Sequence, residues 1–258
     1  MRYDKQNKKI LELSGKLALL ERQNAELKAE AETTKEILNN TLHEIRRFSA
    51  QLSKFCEKLS RDTSGQTNLN QTALSVFYTA GMISSRLAYT DIELNPRAIE
   101  SQTPIRSGIF KKFDKAKRIL TEEAKNKGVN VNLVGESRTE IEALPVFELL
   151  PFVIIENAIK YSPPNQVVEI IFENYSGKQL VTIKSQGPDV TKDELQRIFE
   201  KGFRGASART MPGEGLGLFL AKRVCEFQGI SICAEVRDGR NYTLNGIRYC
   251  EFLIIIKF

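Results

Sequence analysis

The chain of 258 residues has one histidine, four cysteines and, through its first quarter, a single glycine, Gly15. Each scarcity excludes something. The lone histidine and the cysteines Cys56, Cys225, Cys233 and Cys250, which form no C-x-x-C pair, provide no ligand set at zinc spacing. Reduced thiols in a cytosolic protein are the expectation. No apolar run approaches the ~18 residues of a membrane helix, and the basic, polar start MRYDKQNKK lacks the apolar core of a signal peptide. A soluble, cytoplasmic chain without a membrane segment is therefore expected. The formal net charge of +6 permits contact with nucleic acid or an acidic membrane. Yet Lys and Arg are interspersed with Glu and Asp, without a basic block, so no nucleic-acid partner is expected.

What is present changes along the chain. Lys, Glu, Gln, Ala and Leu dominate the start, whereas glycines, prolines and β-branched runs gather after residue 100. Positions spaced alternately by three and four run through Ile10, Leu13, Leu17, Leu20, Asn24, Leu27, Ala31, Thr34, Leu38, Thr41, Ile45, Phe48, Leu52, Phe55 and Leu59. Nearly all are apolar and no proline interrupts, which predicts a coiled coil sustained for about seven heptads. Asn24 takes an a position, where a buried amide fixes register in a parallel dimer. A homodimer is expected.

In that frame His43 falls at f and Glu44 at g, off the seam. An exposed histidine on a rigid helix suits contact with a second domain, and it also suits an ordinary surface position. After Arg61 the residues DTSGQTN form a turn, and a second helical period follows through Leu69, Ala73, Val76, Ala80, Ile83, Leu87, Thr90 and Leu94. Two such helices make an antiparallel hairpin, and two hairpins make a four-helix bundle in the dimer. Asn95-Pro96 ends the second helix, and NPRAIESQTPIRSG reads as a linker or first edge strand.

Beyond residue 107 the elements are mixed. Helices are predicted from about 110 to 126, closed by Gly128, from about 140 to 161, over 192–199 and from about 215 to 228. Strands are predicted at 129–134, 167–173, 180–185, near 230–236 and at 249–258. Antiparallel-looking strands without strict βαβ alternation predict an α+β fold, an α/β sandwich with helices on one face of a sheet.

Three stretches there carry chemistry. In ENAIKYSPP, residues 156–164, Asn157 and Lys160 are i, i+3 neighbours on a helix. An amide oxygen suits Mg²⁺ and an ammonium suits phosphate, although a lysine at a helix C-terminus also merely complements the dipole. In SQGPDVTKDELQRIFEKGFRG, residues 185–205, a short helix leads to Arg204 and a loop of small residues suited to closing over a ligand, or to an ordinary surface loop. In GEGLGLFLAKRV, residues 213–224, Gly213, Gly215 and Gly217 open a helix whose N–H groups favour an anion. Glycine-rich helix starts also serve packing alone. The spacing is neither that of a dinucleotide fold nor of a P-loop.

Taken in order behind the helical hairpin, these stretches resemble the catalytic core of a sensor histidine kinase, and the second domain resembles the ATPase fold shared with gyrase, Hsp90 and MutL. HEIRR at 43–47 is similar to the H box, ENAIKYS to the N box, SQGPDV to the first glycine box, IFEKGFRG to the F box and GEGLGLFLAKRV to the second glycine box. The resemblance implies a coiled coil over 1–40, a dimerisation and phosphoacceptor hairpin over 41–95 and an ATP-binding domain over 96–258. It implies ATP and Mg²⁺ as cofactors, His43 as phosphoacceptor with Glu44 holding a proton, and Asn157 as the Mg²⁺ ligand. Lys160, Tyr161, Ser185, Gly187, Arg204, Gly213, Gly215, Leu216 and Gly217 would surround the nucleotide. A response-regulator receiver domain would take the phosphoryl group on an aspartate.

The chain departs from the pattern at several positions. Ser185 stands where the family usually has the aspartate that recognises the adenine amino group, and Asp189 replaces a glycine. Val153 replaces an asparagine of the N box. Phe48 stands where proline is common, and Arg47 where threonine or asparagine often supports phosphatase activity, so strong phosphatase activity is not expected. Alternatives are a degenerate ATP-binding dimeric switch or scaffold without phosphotransfer, and a serine kinase of the anti-sigma type, which has no hairpin with an exposed histidine.

Overall fold

The computed structural model describes residues 2–62, 102–175, 177–211, 213 and 215–258, together with Val76, Thr79, Ala80, Met82, Ile83, Leu87, Tyr89 and Thr90. Those last residues are helical. The rest of the predicted second hairpin helix, the turn before it and the Asn95-Pro96 stop lie outside the described residues. The chain divides into two compact units, Met1–Phe48 and Ser49–Phe258.

The first unit is helical. It is the larger part of α1, Arg2–Asp62, a stretch of good helix formers without proline. Ion pairs one turn apart, Lys16 with Glu12 at 2.7 Å and Arg22 with Glu26 at 3.1 Å, decorate its surface. On the predicted seam Leu13, Leu17, Leu20 and Leu27 are 55–66% exposed in the single chain. His43 and Glu44 sit on this helix, with their side chains outside the described set.

The second unit holds the end of α1 and everything after it. Ser49 donates from Oγ to the Ala80 carbonyl at 2.7 Å, so the helical stretch around Ala80 lies against α1 there. Next in order come β1 (Ile105–Gly108), α2 (Ile109–Ile119), α3 (Thr121–Lys127), β2 (Asn130–Val134) and β3 (Glu140–Ala143). A short 3₁₀ turn, Pro145–Glu148, leads into α4 (Leu149–Tyr161), β4 (Val167–Tyr175), β5 (Lys178–Pro188) and α5 (Lys192–Arg197). The chain closes with α6 (Gly217–Gln228), β6 (Ser231–Leu244) and β7 (Ile247–Lys257). A five-stranded sheet runs β2-β4-β5-β7-β6, and β1 pairs with β3 in a separate two-stranded ribbon.

Three expectations need correction. The helix expected over 110–126 is two helices, because Leu120 leaves helical geometry at φ −87°, ψ 2°; Gly128 closes the second in the left-handed region as expected. The helix expected from 140 starts only at Leu149. Glu140–Ala143 is a strand paired antiparallel to β1, and Pro145, which has no N–H to continue a ladder, begins the next element. The sheet is not wholly antiparallel: β2 pairs parallel with β4, across the connection that contains α4.

α4 is apolar almost all round, which marks a central helix. Leu150, Ile154, Ile155 and Ile159 are fully buried among side chains of the sheet and of the flanking helices, with Ile170, Ile183 and Ile256 from the strands. Phe113 of α2 meets Phe172 of β4 edge-on at 5.7 Å. Met82 and Tyr89 join the same core, Tyr89 lying 6.4 Å from the Phe227 ring of α6.

One carboxylate locks α4 to its neighbour. Glu148, at the N-cap of α4, pairs with Lys112 and, at 3.0 Å, with Lys115, both on α2. Burial pushes the Glu148 carboxyl up, but Lys115 and Lys112 outweigh it and hold it below the usual carboxylate range. Its contribution to stability is therefore fully present above the ordinary carboxylate pKa and fades as pH falls through the depressed value. Replacing Glu148 with Gln leaves two ammonium groups without their carboxylate, and a loss of about 2 kcal/mol is expected at pH 7. Urea denaturation should find that loss shrinking as pH falls below the ordinary carboxylate range, where the native carboxylate itself becomes protonated.

Candidate functional site

Between α4 and the loop that precedes α6, the sheet leaves a cleft of about 810 Å³, counting its open mouth. That lies within the size of small-molecule sites. Its floor is one face of β5 and β7. Ile183 pairs with Ile254 and Ser185 with Phe252 across the two strands, so these side chains share a face. Gly187 continues the row, and a Cβ there would stand 3.3 Å from the Phe252 Cβ. One wall is a stripe of α4, Ile154, Asn157, Ala158 and Tyr161, at the spacing that puts all four on one helix face. The opposite wall comes from the segment after α5, with Phe203, Arg204, Gly205 and Ala208.

The mouth is built by glycine. Gly217 begins α6 directly against the Asn157 side-chain amide, and a Cβ would overlap that amide. Gly215 has φ +71°, and its place beside the carbonyl of Phe203 and the backbone of Gly202 leaves no room for a side chain. Its carbonyl accepts from the Gly202 N–H at 3.1 Å, tying both ends of the loop together. The Lys160 ammonium lies against Gly213 and 5.3 Å from the Tyr161 ring centroid. α6 has no side-chain cap, so the N–H groups of its first turn remain available to an anion.

Arg204 lines the cleft and also bonds to the loop itself. It donates from Nη2 to the carbonyls of Ala208, at 2.6 Å, and Met211, while its Nε is buried without a partner. The guanidinium thus holds the loop in its fold from inside the cleft. Glu194 anchors the same loop from outside: one carboxylate oxygen caps Thr191 and the other accepts from the Ala206 N–H at 2.7 Å. Those two backbone N–H bonds hold the Glu194 carboxyl below its ordinary range.

Of the residues singled out in the sequence, Asn157, Tyr161, Ser185, Gly187 and Arg204 line the cleft. Lys160, Gly213, Gly215 and Gly217 gather at its mouth through the contacts above. Leu216 and Gly217 line a second, apolar cleft beside Val153 and Glu156. His43 and Glu44 belong to the first unit. Lys127 escaped notice in the sequence. From the end of α3 it donates from Nζ to the carbonyls of Ile159, at 2.8 Å, and Lys160, satisfying the end of the helix that carries Asn157, Lys160 and Tyr161. Burial, more than the neighbouring Lys160, lowers its pKa. A lysine directly before a helix-closing glycine was the available signal, but its acceptors are more than thirty residues away in sequence.

Comparisons agree with this geometry. Residues 152–247 match the family described as histidine kinase-, DNA gyrase B- and HSP90-like ATPase. Sensor protein BceS of Halalkalibacterium halodurans is 34% identical over 103 residues, 39% of this chain and 30% of its own length. Sensor protein SrrB of Staphylococcus aureus is 30% identical over 92 residues, 35% of this chain and 16% of its own length. The similarity thus spans less than a third of either relative. Among solved structures, a mycobacterial sensor histidine kinase, MprB, aligns over 59% of this chain and 97% of that one, with a TM-score of 0.49 and 22% identity. Residues 152–247 of the second unit are accordingly similar to the ATPase domain shared by histidine kinases, DNA gyrase B and HSP90, in keeping with the resemblance to a histidine-kinase catalytic core. No helix among the described residues is long and apolar enough to cross a membrane.

The loop contacts make a direct prediction. Arg204→Ala removes the donor shared by Ala208 and Met211, so limited proteolysis should cut between residues 205 and 216 at least about tenfold faster. The melting temperature should move by only a few degrees, about that expected for 1–2 kcal/mol.

Proposed function

We propose that the chain is an ATP-dependent protein-histidine kinase of a two-component system, which phosphorylates its own His43. The observation that carries this reading is the cleft's division of labour: an apolar floor suited to a nucleobase, and a mouth where Asn157, Lys160 and the open start of α6 converge on the place of an anion. The ATPase family match and the sensor-protein relatives support the same reading.

The residues present fit Mg²⁺ bound largely through phosphates. Asn157 provides one amide oxygen beside Gly217, a hard ligand suited to an ion that keeps phosphate and water as its other ligands. When bound, the ion would neutralise charge on the phosphate chain. Lys160 adds a positive charge at the mouth, Tyr161 walls the nucleotide, and Gly213, Gly215 and Gly217 let the backbone close around the phosphates. One imidazole nitrogen of His43 attacks the γ-phosphorus as the bond to the β–γ bridging oxygen breaks, its electron pair leaving with ADP. Glu44 holds the proton on the other nitrogen. The phosphoryl group then passes to an aspartate of a response-regulator receiver domain.

The exposed leucines of α1 support the homodimer, because such a stripe is buried when two copies pair. In this reading residues 1–40 form the coiled coil, 41–95 the phosphoacceptor hairpin and 96–258 the nucleotide domain. A second reading, an ATP-binding switch without phosphotransfer, draws on one observation, the serine at position 185 on the cleft floor.

With Mg²⁺ and γ-labelled ATP, the purified protein should acquire acid-labile, base-stable label. His43→Gln should acquire none while binding nucleotide unchanged; label on that variant, or wild-type binding without label, would reject autophosphorylation at His43. Asn157→Ala should lose at least about tenfold in Mg²⁺-dependent nucleotide affinity by calorimetry, since a metal-held contact disappears. Unaltered affinity would remove Asn157 from the metal site.

A further inference from the structure

The two ends of the cleft differ in chemistry, and that difference orients a nucleotide. Asn157, Lys160 and the start of α6 stand at the mouth, whereas Ile183, Ile254 and Phe252 form the floor against Ile154. Phosphates belong at the first end and a flat, aromatic base at the second. Selectivity between bases then depends on which polar groups the floor presents.

Ser185 is the central one. On β5 it shares a face with Val181 and Ile183, whose side chains are buried in the core, and it is itself only 6% exposed. It lies directly across from Phe252. Among the described residues its side chain has no hydrogen-bond partner. Asp189 also lines the cleft, but its carboxylate is 3.7 Å from Arg248 and its side chain is 36% exposed, which puts it at the rim.

A hydroxyl both donates and accepts, whereas a carboxylate only accepts and carries a charge. Ser185 can accept from the 6-amino group of adenine, and by rotating its proton it can donate to the 6-keto oxygen of guanine. A buried carboxylate would welcome the first and repel the second. We infer that the nucleobase site is permissive among purines, accepting guanine nucleotides as well as adenine nucleotides, with Ser185 as the residue that sets this breadth.

This rests on the nucleotide-binding reading, and calorimetry separates the two. The full chain is titrated with non-hydrolysable ATP and GTP analogues in the presence of Mg²⁺. Affinities within about tenfold of each other are expected, since Ser185 can make one neutral hydrogen bond to the 6-substituent of either base. Ser185→Asp should raise the ATP-to-GTP affinity ratio by at least about tenfold, because a carboxylate rejects the keto oxygen. Ser185→Ala, which keeps the fold with least disturbance, should bind both more weakly at a ratio near one, and it decides the matter together with the wild type if the aspartate variant fails to fold. ATP binding with guanine rejected by more than about a hundredfold overturns the inference alone. So does a ratio that Asp189→Asn changes and neither Ser185 variant does. Binding of neither nucleotide overturns both the inference and the nucleotide-binding reading.

Discussion

The contact on which the site depends is the one between Gly217 and the Asn157 amide. α6 can start this close to the Asn157 amide because its first residue has no Cβ. That permits α6 to begin at the cleft, with uncapped N–H groups next to an amide oxygen and within the same neighbourhood as the Lys160 ammonium. A larger residue would separate the helix start from α4 and disperse the groups that suit a phosphate chain. The surrounding architecture maintains this approach: Lys127 satisfies the end of α4, Glu148 ties its beginning to α2, and the sheet buries its length.

The loop ahead of α6 is held by a different kind of interaction. Two charged side chains, Arg204 inside and Glu194 outside, bond to its backbone. Backbone acceptors do not vary with residue type, so the loop retains its path while its small residues remain free to suit a ligand. The Arg204 Nε is buried without a partner among the described residues. A guanidinium that both lines the cleft and bonds to the loop's carbonyls joins the two parts of the structure.

Much of this was legible in the sequence because it depends on local chemistry. Asn157 was marked by its helical spacing from Lys160, Arg204 by the loop it leads into, and Tyr161, Ser185 and Gly187 by the resemblance of their motifs to those of histidine kinases; all five line one cleft. Gly128 was readable as a helix stop for the same reason. The failures have a common cause. Glu140–Ala143 reads as the start of a helix until β1 is available to pair with it, and β2 reveals its parallel alignment only beside β4. Lys127 and Glu148 act through partners more than thirty residues away, Lys115 among them, and composition carries no trace of such distances. The second role of Arg204, donating to the loop's own carbonyls, was hidden because those acceptors come together only in the folded chain.

One outer strand of the five-stranded sheet is β6, fourteen residues long and, among the described residues, paired on one side only. A long bare edge is a template on which a second sheet can grow. Here the register with β7 slips between Arg237 and Tyr242, and Glu235 and Arg237 pair on the strand just before the slip. A break in register interrupts the edge and a charged pair makes its dehydration costly, so the strand is a poor seed for stacking one sheet on another. Protection against amyloid-like growth is therefore built into the margin of the same sheet whose centre forms the floor of the cleft.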